Sequence, residues 1–334
     1  MQFYKLAFLL TLFTGTLLSV SSYSWLGMWM GLEINLLSFI PLMKSKNLLS
    51  TETSTKYFIT QALASTIILM TIISSMTKTH LMVNSYSSLT VMMNSALLVK
   101  MGAAPFHFWF PEVMEGLSWT SCLVLSTWQK IAPLTLFMYN INNMKFSTLI
   151  IVSCMIISAT QGFNQLSLRK ILAYSSINHL GWMLSTISLS ESIWLTYLVI
   201  YSFSNTITMM ALWKLNISLV SQINQWTSSN PLKKILTLIM FLDLMGIPPF
   251  LGFFPKWLTI QLLTENKLPL LTMTMILFTT ILAFMYMRTL ITSLALNNQS
   301  SNWVKTTSSA KMLMLNISLL SLSLPVSTLL YSWS

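Results

Sequence analysis

The chain has 334 residues, of which 54% are hydrophobic and only 7% are charged, and its mean hydropathy is +0.69. A soluble protein carries about 25% charged residues, so this composition excludes a water-covered globule and points to a chain dissolved in lipid. The net charge of +11 is dispersed, with no basic face to hold a nucleic acid, and Cys122 and Cys154 lie in apolar runs without metal or redox spacing.

Apolar runs joined by short polar links predict an all-α, polytopic membrane bundle of about eleven transmembrane helices, because each run is helix-length rather than a ten-residue alternating strand. In chain order the spans fall near 4–20, 25–43, 57–76, 81–103, 119–139, 146–161, 168–188, 192–218, 234–263, 268–292 and 310–331. The first run has signal-peptide features, but more helices follow it directly, so it reads as a membrane span. No Arg-rich amphipathic leader is visible. No link is long enough for a soluble domain, so residues 1–334 read as a single integral-membrane domain.

The fourth and ninth spans carry Gly/Pro interruptions, at Met101-Gly102-Ala103-Ala104-Pro105 and Gly246-Ile247-Pro248-Pro249. No other repeat stands out. Interruptions at corresponding places in two halves point to an antiporter-like inverted repeat with its working site near mid-membrane. The basic residues bias orientation. One set of links, with the N-terminus, holds Lys5, Lys44, Lys46, Lys56, Arg169, Lys170, Lys233, Lys234, Lys305 and Lys311; the other holds Lys78, Lys145 and Lys267. The richer side, with the N-terminus, is expected to face the cytoplasm or its mitochondrial equivalent, the matrix.

Four charges fall inside the apolar stretches: Glu33, Lys100, Lys130 and Lys256. A charge at bilayer depth is tolerated where it faces protein or a wet cavity, and it then usually serves transport. Lys100 precedes the first break and Lys256 follows the second. Burial disfavours the charged form of a lysine, which lets it exchange a proton near neutral pH. The alternative for Lys100 and Lys256 is an ammonium that reaches back to the interface. Lys130 sits mid-span, where that alternative is weaker.

Glu33 pairs with a cation or stays protonated and hydrogen-bonded, and Lys100 is its candidate partner. His179, also mid-span, either passes protons between lysines or packs helices as a neutral ring. His107 reads as structural, Asp243 as a packing residue or a partner of the second break, Glu112 and Glu115 as solvated, and Arg288 as an interfacial side chain. Phosphate loops, dinucleotide motifs, and cysteine or histidine spacings for iron–sulfur or haem are absent from the sequence.

Four segments together carry a family resemblance: KMGAAPFHFWFPEV (100–113), TWQKIAP (127–133), LAYSSINHLGWM (172–183) and MGIPPFLGFFPKW (245–257). They resemble the chain 2 family of NADH-ubiquinone oxidoreductase, the mitochondrially encoded antiporter-like subunits of respiratory complex I, over about residues 25–300. The resemblance implies two inverted five-helix repeats and eleven helices. It implies that Glu33 is the membrane glutamate, Lys100 its partner on the first broken helix, Lys130 the central relay lysine, and Lys256 the lysine on the second broken helix. His179 lies in a family motif with a less settled role.

It further implies proton translocation within a complex that binds NADH, FMN, iron–sulfur clusters and ubiquinone in other subunits, with no cofactor in this chain. The implied neighbours are the antiporter-like chain 4, chain 4L and membrane lipid, cardiolipin being the expected one from the organelle and the basic links. The implied location is the mitochondrial inner membrane. The rivals are a free-standing cation/proton antiporter and a structural spacer whose buried charges only fix helix register.

Overall fold

The computed structural model describes residues 3–44, 48–77, 84–141, 144–227 and 231–295, all helix and short connections apart from one isolated bridge, Ser167 to Leu219. The expected span at 310–331 lies outside the described residues. The helices are α1 (Phe3–Ser21), α2 (Trp25–Met43), α3 (Leu48–Thr77), α4 (Asn84–Met101), α5 (Trp109–Gly116), α6 (Trp119–Ser126), α7 (Trp128–Tyr139), α8 (Met144–Gly162), α9 (Leu168–Ile187), α10 (Glu191–Leu215), α11 (Val220–Thr227), α12 (Pro231–Met245), α13 (Phe253–Glu265) and α14 (Pro269–Ala295). Among the described residues, six of them are long and apolar enough to cross a membrane. The chain divides into two compact units, Met1–Ser153 and Cys154–Ser334.

Burial follows the rule of a lipid-dissolved protein. Large apolar side chains such as Leu17, Met70, Leu149, Val199 and Leu270 point outward, while Lys100, Lys130, Lys256, Asp243, His107 and His179 are buried. Lipid-facing hydroxyls are satisfied within their own helix, as when Thr66 donates to the Leu63 carbonyl and Thr280 to the Leu277 carbonyl. That local bonding lets a Ser/Thr-rich chain face hydrocarbon without an orphaned donor.

Local bonding also explains a boundary. The third span was expected from residue 57, yet α3 begins at Leu48. The intervening STETSTK reads as a polar link, but Thr51, Thr53, Ser54 and Thr55 each donate to the carbonyl three residues back.

In the first unit, α2 is held by its neighbours. A Cβ on Gly31 would meet the Ser19 amide at 2.5 Å and the Gly15 carbonyl at 2.8 Å, so only glycine admits this crossing of α1 and α2. Trp29 donates to the Ser65 carbonyl of α3 at 3.1 Å. These contacts fix the turn of α2 that carries Glu33 and Asn35. The fifth expected span, 119–139, is not continuous: α6 ends at Ser126 and α7 begins at Trp128. Thr127 adopts φ −111° and ψ −69°, and its amide and hydroxyl both donate to the Leu123 carbonyl, the hydroxyl at 2.7 Å.

In the second unit, α9 is buried along nearly its whole length and packs on α10, α13 and α14. The ninth expected span is two half-helices, α12 and α13, and a short α11 occupies part of the expected link before it.

Candidate functional site

Both breaks are built on one device. Gly102 has φ +72°, its amide donates to the Val99 carbonyl, and the Ala103 amide donates to the Leu98 carbonyl. Gly246 has φ +73°, its amide donates to the Asp243 carbonyl, and the Ile247 amide reaches the Leu242 carbonyl. Each is a glycine-terminated helix end in which the left-handed residue turns the chain out and refills the last carbonyls. The shared sequence runs further than the interruptions alone suggested. Met101-Gly102, Pro105-Phe106 and Phe110-Pro111 recur in register as Met245-Gly246, Pro249-Phe250 and Phe254-Pro255. The two breaks therefore share a short sequence motif.

At the first break, Lys100 occupies the last turn of α4 and is 7% exposed. The helix dipole favours a cation there. Gln61 of α3 donates to the Lys100 carbonyl at 3.2 Å, and Trp109 donates to the Val99 carbonyl at 3.1 Å, so carbonyls near the break find side-chain donors. His107 bonds within the break, its Nδ1 lying 3.2 Å from the Pro105 carbonyl.

Lys100 lines a cavity of about 10 Å3 together with Asn35, Tyr57, Gln61, Gln129 and Pro133. That is room for about one water. Pro133 has no amide hydrogen to give the Gln129 carbonyl, and both residues line the cavity. Glu33 is partly buried on α2, and Lys100 feels its charge through space without a direct ion pair. The expected partnership is thus electrostatic rather than a contact.

Lys130 lies in the first turn of α7, just past the interruption at Thr127, and is 2% exposed. It was expected in the middle of an unbroken helix. A helix N-terminus opposes an ammonium, and the Phe110 ring, 5.4 Å from Nζ, supplies a compensating face. Gln129 beside it donates to Asn35 Oδ1 at 2.9 Å, which joins α7 to the α2 turn bearing Glu33. Glu33, Lys100 and Lys130 therefore belong to one unit, in which Lys100 alone of the three lines the small cavity, while His179 and Lys256 belong to the other.

His179 is buried on α9, with Nδ1 2.9 Å from the Tyr197 hydroxyl and its ring 4.9 Å from that of Tyr201. Asn205 donates to the Tyr201 hydroxyl at 3.2 Å. The histidine thus sits in a polar cluster of α9 and α10 whose tyrosines carry no signal in the sequence. Lys256, 8% exposed, donates to the Met245 carbonyl at 2.8 Å. Asp243 accepts from the Gly252 amide at 2.9 Å. Glu112 instead faces outward and pairs with Lys56 at 3.0 Å, and Arg288 reaches the Phe163 carbonyl.

Similarity to known proteins identifies the family. The family described as NADH:quinone oxidoreductase/Mrp antiporter matches residues 22–283. NADH-ubiquinone oxidoreductase chain 2 of Anopheles gambiae is 49% identical over 89% of this chain and 88% of its own length. The chain 2 of Locusta migratoria is 44% identical over 90% and 88%.

Among solved structures, a chain of respiratory complex I from Thermus thermophilus superposes with a TM-score of 0.81 at 22% identity, over 96% of this chain and 77% of that one. A chain of the Mrp complex from Dietzia does so at 0.76 and 17%, over 86% and 59%; both likenesses speak for the fold. With its broken helices, buried lysines and relatives of this identity and coverage, the chain belongs to the NADH-ubiquinone oxidoreductase chain 2 family, the antiporter-like membrane subunits of complex I.

Proposed function

We propose that this chain carries protons across the membrane as a core subunit of the proton-pumping NADH:ubiquinone oxidoreductase, through Glu33, Lys100, Lys130, His179 and Lys256. The observation that carries this reading is Lys100: a buried ammonium at a helix break, beside a one-water cavity, within reach of the charge of Glu33. A change in that pairing alters how tightly Lys100 holds its proton. The cavity gives the proton a partner, Lys130 is the next buried base, and His179 and Lys256 continue the path. Electron transfer from NADH through FMN and iron–sulfur clusters to ubiquinone belongs to other subunits.

The same reading places the chain in the mitochondrial inner membrane with its N-terminus in the matrix, beside chain 4 and chain 4L and in contact with cardiolipin. It also takes the bundle as eleven helices in two inverted repeats. One broken helix of the same construction in each unit supports the repeat. The test is Lys100→Met in inner-membrane vesicles, read as protons moved per NADH oxidised, with a native gel to follow assembly. An assembled complex that oxidises NADH and pumps normally with Lys100 and Lys130 both neutral would overturn the relay.

A further inference from the structure

The second break holds a carboxylate that the proton path does not yet use. Asp243 is 1% exposed in the last turn of α12. Its Oδ1 accepts the amide of Gly252, the residue that caps α13. Its Oδ2 is buried with no hydrogen-bond partner. A buried carboxylate oxygen left unfilled is costly, and a cation brought to it would remove that cost.

One cation is at hand. Lys256 in the first turn of α13 sends its ammonium back across the break to the Met245 carbonyl, and it feels the charge of Asp243. The two side chains are crossed: the carboxylate of α12 meets the amide end of α13, and the ammonium of α13 meets the carbonyl end of α12. Each charge sits at the helix end of opposite polarity. A Cβ on Gly246 would lie 2.8 Å from Lys256 Nζ, so glycine is what leaves the ammonium this place.

We propose that Asp243 is the positioning residue for Lys256, its Oδ2 being the second seat to which the ammonium moves from the Met245 carbonyl. On the carbonyl, the lysine is held at the break. On Oδ2, the pair is closed and the break loses its cation. The inference rests on the proton-path reading of Lys256, and its test separates the two.

The experiment uses the assembled complex in inner-membrane vesicles, read as protons moved per NADH oxidised. Asp243→Asn keeps an oxygen for the Gly252 amide and removes the charge. Asp243→Ser removes the charge with a smaller side chain. Asp243→Glu restores the charge on a longer arm. The expected result is a loss of at least about threefold in both neutral variants, partial recovery with Asp243→Glu, and no further loss when Asp243→Asn is added to Lys256→Gln.

Normal pumping in the neutral variants while Lys256→Gln is impaired would overturn the role of Asp243 and leave the relay standing. Normal pumping in Lys256→Gln would overturn both. An additive loss in the double variant, or failure of both neutral variants to assemble, would make Asp243 a structural residue and overturn the proposal.

Discussion

The two broken helices share their glycine turn and their Pro-Phe framework, yet they place their charges differently. In the first, the lysine lies before the turn, on α4, and the charge that acts on it comes from another helix, the Glu33 of α2. In the second, the lysine lies after the turn, on α13, and the acting charge is on the other half of the same interrupted segment. The position in register with Lys256 is Glu112, which is exposed and paired with Lys56. One backbone device therefore supports two electrostatic arrangements. The break fixes where a charge can be stabilised, and the residues around it decide what senses that charge.

The difference between the two breaks depends most on the lysines. Lys100→Met and Lys130→Met are each expected to lower protons moved per NADH by about tenfold or more, as for loss of a proton-transfer group, while a native gel still shows the assembled complex. An equal loss of assembled complex would mean that the first break is structural.

Next come the glycines. Alanine at a left-handed position costs about 1–2 kcal/mol. In Gly102→Ala the new Cβ meets the Phe110 Cβ at 2.9 Å, so thermal stability of the complex should fall first. In Gly246→Ala it meets the Lys256 head group, so pumping should fall more than stability. Similar behaviour of the two would erase the distinction between the breaks.

A smaller effect is expected from Gln61→Leu, which leaves the Lys100 carbonyl without its side-chain donor. A membrane hydrogen bond of this kind is worth about 0.6 kcal/mol, visible as a slight drop in the thermal midpoint. The smallest is Lys56→Met. It removes the exposed pairs with Glu52 and Glu112, and exposed pairs contribute little, so midpoint and pumping should both stay within error. A large loss there would promote Glu112 to the role that its register with Lys256 suggests.

Much of this was legible in the sequence, for a physical reason. Lipid demands long apolar helices and leaves buried charges conspicuous, so the span at 25–43 matches α2 residue for residue, and Lys100, Lys130 and Lys256 are buried. The remaining features lack a composition signal. The interruption at Thr127 has neither glycine nor proline at its turn; a threonine hydroxyl occupies the Leu123 carbonyl instead. The early start of α3 is hidden by hydroxyls that look like a link and bond like a helix. Asp243 was visible, but its relation to Gly252 depends on a fold-back across the break that spacing does not reveal.

The volume beside Lys100 has a consequence for insulation. A membrane that stores a voltage of 100 mV sets about 2.3 kcal/mol on each charge that crosses it, and any continuous column of water would discharge it. About 10 Å3 accommodates a single molecule, hemmed in by Gln61, Gln129, Asn35 and Tyr57. A space of that size offers one hydrogen-bonding step. Enlarging it, by trimming Gln129 to alanine for example, is expected to admit more water and to raise proton back-flow in vesicles without NADH.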